Sequence, residues 1–394
     1  MPQITPASEP RNVALDGFRG LMTVFVLVSH YLGEVPHGLG VFEVGWIAVI
    51  AFFVLSGFLV GRLIIEKQDR ANFFTVFYVR RVCRTIPVYF VCVLVVFGCI
   101  RLFAHAHWLD LNVEFPLWSY LTFTQNAFVA ATGSIGAHWL APTWTLAVEE
   151  QFYLITPALF FFVPRRGMPF VLGAGLVGSI VYRAEAFRTG FVPDGAVAVL
   201  LPGVADTLIC GLLAAILITS NLVDWKRFDV PFRLAPLVLL YIAIGLQPFD
   251  DAGHHLIRTF GVPLIALASA LLLISLARGA PEASKFTSKI LCFFGRTSYT
   301  IYLTHLTVLG LMHGLILSAE PDIATPAQIA VTLAALPVAV LVGWIGTLIV
   351  EQPITVYGRS WQWSKERRTA REPALHGVGH HVRQGLQSVG RESI

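Results

Sequence analysis

"DGFRGLMTVFVLVSHY", residues 16–31, decides what kind of chain this is. The stretch is mostly apolar, yet Arg19 stands near its start and His30 near its end. Ionisable side chains inside a membrane span are costly unless they are paired or face a cavity. The composition establishes that a span is the right reading. The chain is 56% hydrophobic and only 13% charged over 394 residues, with a mean hydropathy of +0.70. Soluble globular proteins carry about 25% charged residues. The expected fold is therefore all-α, a polytopic membrane helix bundle.

Apolar runs place about ten transmembrane helices, near 15–33, 43–65, 86–104, 144–163, 168–183, 196–219, 233–247, 258–277, 294–317 and 326–350. Spanning takes roughly 20 residues, so the fifth and seventh are short. Lys and Arg test this count independently, because they concentrate on the cytoplasmic side. Of the 28 basic residues, only Arg101, Arg183, Arg188 and Arg258 fall on the outer side. Ten spans with the N and C termini cytoplasmic give that sorting. The net charge of +4 then reflects topology and gives no reason to expect nucleic acid as a partner; the partner is the lipid bilayer. Residues 1–14 form a cytoplasmic segment, 15–353 the membrane domain, and 354–394 a basic cytoplasmic tail expected to be mostly disordered. The N-terminus lacks the order of a cleaved signal peptide, so the first span is expected to be retained. The outer loop 105–143 has no Lys or Arg and is expected to hold a re-entrant or interfacial piece.

Arg19 and His30 are eleven residues apart. Eleven helical steps return to within about 20° of the starting direction and rise about 16 Å. Both side chains therefore share one face. Such a face suits a long donor with anions at one end and a reactive group at the other. Coenzyme A is of that kind, with phosphates that Arg can fork and a thioester that a hydroxyl could attack with His as base. "YVRRVCRTIP", residues 78–87, adds Arg80, Arg81 and Arg84 just before the third helix. If this piece is helical, Arg80 and Arg84 share a face and Arg81 points elsewhere. Anchoring at the membrane surface is the plainer explanation of the cluster. "PTWTLAVEEQFYL", residues 142–154, brings Glu149 and Glu150 to the fourth helix. Glu149 lies at a depth similar to His30, and a carboxylate on the imidazole would fix its tautomer, as in acyl-transfer triads. A structural ion pair is the competing reading.

These pieces occur in one order: "LDGFRGLMTVFVLVSH", "FFVLSGFLVGR" at 52–62, "RRVCRTIP" at 80–87, "WTLAVEEQFYL" at 144–154 and "SYTIYLTH" at 298–305. Together they resemble the acyltransferase-3 family of bacterial membrane O-acyltransferases, over about residues 12–353. The resemblance implies transfer of an acyl group, often acetyl, from cytoplasmic acyl-CoA to a sugar or similar hydroxyl, in the bacterial cytoplasmic (inner) membrane. Acyl-CoA (acetyl-CoA) is then a donor substrate rather than a bound cofactor, and the acceptor a glycan or lipid-linked sugar. It implies His30 and Glu149 as catalytic residues, and favours Glu149 over Glu150. Arg19, Arg80, Arg81 and Arg84 would hold the donor. Trp144, Tyr153 and His305 are candidates for substrate contact, though His305 could equally donate to a helix carbonyl.

Other features have plainer readings. Ser56 reads as a packing residue beside Gly57. The five cysteines, at 83, 92, 99, 210 and 292, are scattered and suggest neither disulfides nor metal. His105, His107, His254 and His255 read as solvated loop histidines, and His376, His380 and His381 as part of a solvated tail. A transporter or exporter of an anionic or acylated solute is the alternative function, since intramembrane Arg, His and Glu also serve transport.

Overall fold

The computed structural model describes residues 12–109, 115–164, 166–220, 223, 233–242 and 257–365. Arg11, Arg165, Lys226, Arg227, His254, His255 and the tail beyond 365, with its histidines, lie outside the described residues. So do residues 243–247 of the seventh expected span. The fold is all-α: 82% of it is helical, and the described residues contain no strand.

Asn12 starts the first helix by accepting the Ala14 and Leu15 N–H groups on its side chain. Helix α1, Val13–Val28, then loosens into a π-helical turn over Ser29–Gly33. Next come α2 (Gly45–Lys67), α3 (Phe73–Leu102), the short α4 (Leu117–Leu121) and α5 (Gln125–Thr132), and α6 (Trp144–Phe162). They are followed by α7 (Met168–Thr189), α8 (Leu201–Thr219), α9 (Arg233–Ile242) and α10 (Val262–Ala277). The last three are α11 (Lys289–Leu317), α12 (Pro326–Gly346) and, after a π turn at Thr347–Glu351, α13 (Gln352–Ser360). Eight described helices are long and apolar enough to cross a membrane. The other two expected spans are α6, 19 residues with both glutamates, and α9.

Small residues set the two tightest crossings. A Cβ on Gly57 would lie 2.1 Å from the Leu208 carbonyl oxygen, and one on Gly211 2.1 Å from that of Val54. This locks α2 against α8, as the small-residue reading of the Ser56–Gly57 pair requires. Gly20 and Gly295 do the same for α1 and α11, where an added Cβ would come within 1.9 Å of a facing carbonyl. These crossings fix α1 against α11, which places His30 beside His305.

Three expected boundaries are corrected. Helix α3 begins at Phe73, not near 86. Phe73 and Phe77, one turn apart, are both buried, so the apolar face continues N-terminally and carries the helix through Pro87. Arg80, Arg81 and Arg84 thus stand inside α3 rather than before it. Helix α7 runs on to Thr189, so Arg183 is an intrahelical residue, not an outer-loop one. It is 1% exposed and forks onto Asp206 at 2.6 and 2.9 Å, with further bonds to Ser179 and the Gly203 carbonyl. Burying a cation is tolerable because Asp206 pairs with it and both terminal nitrogens are hydrogen-bonded, although Nε has no partner among the described residues. Helix α11 begins at Lys289, five residues before the expected 294. The 105–143 loop places Gln125 and Asn126 inside the protein, with Gln125 bonded to Tyr89 and Thr143 and Asn126 to Gln151 and the Val199 carbonyl.

Candidate active site

Two polar centres stand along α1. The first is a cavity of about 110 Å³, lined by Arg19, Arg81, Arg84, Glu149, Tyr153, Tyr302 and apolar residues of α2. Arg81 and Arg84, at i and i+3 on α3, reach it together. The Arg81 guanidinium lies 4.4 Å from the centre of the Tyr153 ring, a cation–π arrangement. Neither Arg81 nor Arg84 has a hydrogen-bond or ion-pair partner among the described residues. Arg19 lies 4.0 Å from Asp16, one turn back on the same helix.

Arg80 goes elsewhere. Its guanidinium donates to the Trp361 and Arg359 carbonyls and packs 5.0 Å from the Trp363 ring. The expected grouping is therefore corrected: Arg81 and Arg84 line the cavity together, and Arg80 points away. The reason is competition, since the chain beyond α13 offers Arg80 two carbonyls and a ring.

Glu149 and Glu150 face different ways, as adjacent helical residues must. Glu149 accepts from the Tyr153 hydroxyl at 3.0 Å, and that hydroxyl also contacts Ser56 Oγ. Glu150 accepts from Thr85 at 2.8 Å, and the Thr85 carbonyl accepts from Tyr299. Trp144 packs its ring 5.9 Å from Phe53, beside the cavity rather than in its lining.

The second centre is a histidine pair. His30 and His305 lie edge to face with ring centres 4.9 Å apart, and His30 Nδ1 is 3.3 Å from His305 Nε2. The carboxylate beside His30 is Glu34, with Oε2 at 3.4 Å from Nε2. Glu34 is held in turn: its Oε1 accepts from Ser29 at 2.7 Å, and Ser29 accepts from the first N–H of α2, at Gly45. A helix N-terminus favours a negative charge placed close by.

The expected contact between Glu149 and His30 is not formed. Similar depth alone does not bring two side chains together, and what each of them meets is a tertiary fact that the sequence does not show. Tyr302 touches both centres, its ring lining the cavity and its centre 5.9 Å from that of His305. Its hydroxyl donates to the Pro142 carbonyl and meets Thr145 Oγ1, pinning it to the start of α6. Glu34 could have been found earlier. It lies four residues after His30, the spacing at which helical side chains meet, but it fell one residue past the expected helix end. Among the described residues no group of three His, Cys, Asp or Glu could hold a metal ion, and the cysteines are free thiols.

A family model described as an acyltransferase domain matches residues 12–348. The chain belongs to this acyltransferase family, and it is a multi-pass membrane protein. It is 25% identical over 343 residues to the peptidoglycan O-acetyltransferase OatA of Listeria monocytogenes, covering 82% of this chain and 53% of that protein. A putative O-acetyltransferase of Staphylococcus aureus is 24% identical over 336 residues, covering 76% of this chain and 51% of that protein. The chain thus spans about half the length of these two relatives. A putative acetyltransferase of Acidianus two-tailed virus is 26% identical, covering 80% of this chain and 89% of that protein. No solved structure matches the chain significantly.

Proposed function

We propose that the chain is a membrane O-acyltransferase that moves an acyl group, acetyl in the first instance, from acyl-CoA to a hydroxyl of a glycan or lipid-linked sugar. It would work in the bacterial cytoplasmic membrane, with the arginine end facing the cytoplasm. The observation that carries this reading is the pair Arg81 and Arg84. Two guanidinium groups with no hydrogen-bond or ion-pair partner among the described residues open into one cavity, an arrangement suited to phosphate oxygens. Arg19 at the same cavity begins the face that leads to His30.

In this reading the thioester is drawn past Tyr302 toward His30. His30 Nε2 takes the acceptor's hydroxyl proton as its oxygen attacks the thioester carbonyl. The new C–O bond forms, the C–S bond breaks, and the thiolate leaves to collect the proton. Glu34 stabilises the imidazolium formed on the way. Glu149 stays with the donor, fixing Tyr153 beneath Arg81. The name of the Listeria relative makes peptidoglycan the first acceptor to try.

The test is turnover of radiolabelled acetyl-CoA by the purified protein in lipid nanodiscs, with peptidoglycan fragments and simple glycosides as acceptors. Labelled glycan ester from wild type and none from His30→Ala, which should still bind donor, is the expected result. Movement of a solute across vesicles without any acyl transfer would replace this reading with transport.

A further inference from the structure

We propose that His305 is a positioning residue that, together with the Val26 carbonyl, holds the ring of His30 by its Nδ1–H and leaves Nε2 as the nitrogen that exchanges a proton. The proposal rests on His30 acting as the base of acyl transfer.

The deduction needs only donors and acceptors. A carbonyl oxygen can accept a hydrogen bond but never donate one. His30 Nδ1 lies 3.0 Å from the Val26 carbonyl, so this nitrogen carries a proton. His305 Nδ1 lies 2.8 Å from the Tyr302 carbonyl, so it carries one too. That leaves His305 Nε2 facing the N–H of His30 at 3.3 Å. Were His305 doubly protonated, two N–H groups would point at each other in a pocket where His305 is 0% exposed. His305 is therefore the neutral ring with Nδ1–H, and its Nε2 is an acceptor. The proton of His30 sits on Nδ1, shared between two acceptors. The other nitrogen of His30, Nε2, lies 3.4 Å from Glu34 Oε2, so this is the position at which His30 gains and loses its second proton.

The frame around the pair is rigid. The Tyr31 hydroxyl donates to the His305 carbonyl at 2.8 Å, bolting the π turn of α1 to α11. Tyr302, whose carbonyl fixes His305, is pinned to α6 by its own hydroxyl. The titratable groups around the pair are Glu34 and Tyr31 from the turn after α1, Tyr302 from α11, and His138 from the 3₁₀ turn before α6. Of these only Glu34 brings a negative charge, and it faces Nε2. When Nε2 takes a proton, the resulting cation finds an acceptor ready on each side: His305 and the Val26 carbonyl at Nδ1, Glu34 at Nε2. No ring has to rotate during the step.

Three variants of the full chain in nanodiscs test this. His305→Leu removes the acceptor, while His305→Gln keeps an oxygen for His30 and an amide N–H for the Tyr302 carbonyl. His305→Leu should lower kcat about 10- to 100-fold, the usual cost of removing an orienting partner, with the KM of donor and acceptor nearly unchanged. Its acid limb in kcat/KM should move to lower pH, because an acceptor for the charged imidazole is gone. His305→Gln should recover most of the loss. His305→Leu with wild-type kcat and pH profile would overturn the proposal, as would His305→Gln failing as badly as His305→Leu. Nitrogen-15 shifts of labelled histidine give a readout without turnover: wild-type His30 should keep its proton on Nδ1 at every pH while Nε2 gains and loses one, and a bare Nδ1 at any pH would also overturn it. His30→Ala, the third variant, keeps the two readings apart. If it still transfers acyl groups, the base assignment falls, while the nitrogen shifts still decide the tautomer.

Discussion

The arginine cavity, lined by Arg19 of α1, and the histidine pair, reached from the π turn that follows α1, are finished differently. In the cavity, Arg81 and Arg84 have no hydrogen-bond or ion-pair partner among the described residues, and the only bonded carboxylate is committed to a tyrosine. At the pair, both Nδ1 atoms meet carbonyls, and each Nε2 faces a neighbour. A charged group kept in an apolar bundle without a hydrogen-bonding protein partner is suited to a ligand. A histidine whose nitrogens are nearly all accounted for is set for a proton transfer that needs no rearrangement. The difference separates a site that binds from a site that reacts, and mutations should divide the same way.

The largest effects should fall on donor affinity. Removing Arg81 and Arg84 together should weaken acetyl-CoA binding by about 100-fold or more, since each charge-assisted bond contributes about 1.5–3 kcal/mol. Isothermal titration or the KM for donor reads this directly. An acetyl-pantetheine that lacks the nucleotide and its phosphates should bind poorly to wild type and be nearly indifferent to the same mutations. Equal proportional losses for the two donors would break the comparison, because the arginines would then be shaping the protein rather than meeting phosphate.

The two acids of α6 sharpen it. Glu149→Gln keeps a hydrogen-bond acceptor for Tyr153 but removes the charge from the cavity. Glu150→Gln leaves a group able to hold Thr85. Glu149→Gln should lower kcat/KM for donor by up to about tenfold, the difference between a hydrogen bond to a charged acceptor and one to a neutral amide, and Glu150→Gln clearly less. A larger loss at Glu150 would shift the donor site toward Thr85 and Tyr299. Glu34→Gln belongs to the other centre, so it should lower kcat while leaving the donor KM in place.

How much of this was legible beforehand follows from where each interaction is encoded. The Arg19–His30 spacing is a property of one helix and could be counted. A close helix approach was legible at Ser56–Gly57 because small side chains are a local fact, but that the partner is α8 was not. Arg183 and Asp206 meet across two helices, 23 residues apart in sequence, and no local pattern announces them. The apolar run alone places the third span near 86–104, but with Phe73 and Phe77 buried the helix starts at Phe73 and runs through Pro87. The π turn at Ser29–Gly33 has no sequence signature, yet it sets where His30, Tyr31 and Glu34 point. Tyr302 was within a quoted motif, but that it touches the two centres is a tertiary fact.

The smallest effect should come from the arginine that looks most like its neighbours. Arg80 is one residue from Arg81 and one turn from Arg84, and by charge alone it belongs to the same cluster. Its guanidinium instead holds the segment after α13, through the Trp361 and Arg359 carbonyls and the Trp363 ring. That segment is fastened again at Asn72, which exchanges hydrogen bonds with Ser364, and Trp363 also stacks on Phe73. With these other attachments in place, Arg80→Ala should cost at most about 1 kcal/mol of stability, the net worth of an ordinary hydrogen bond. The donor KM should stay close to wild type for both long and short donors. Thermal unfolding in detergent and the donor KM, measured on one preparation, test both halves. A donor KM raised as far as in Arg84→Ala would return Arg80 to the phosphate site and erase the distinction between its face of α3 and that of Arg81 and Arg84.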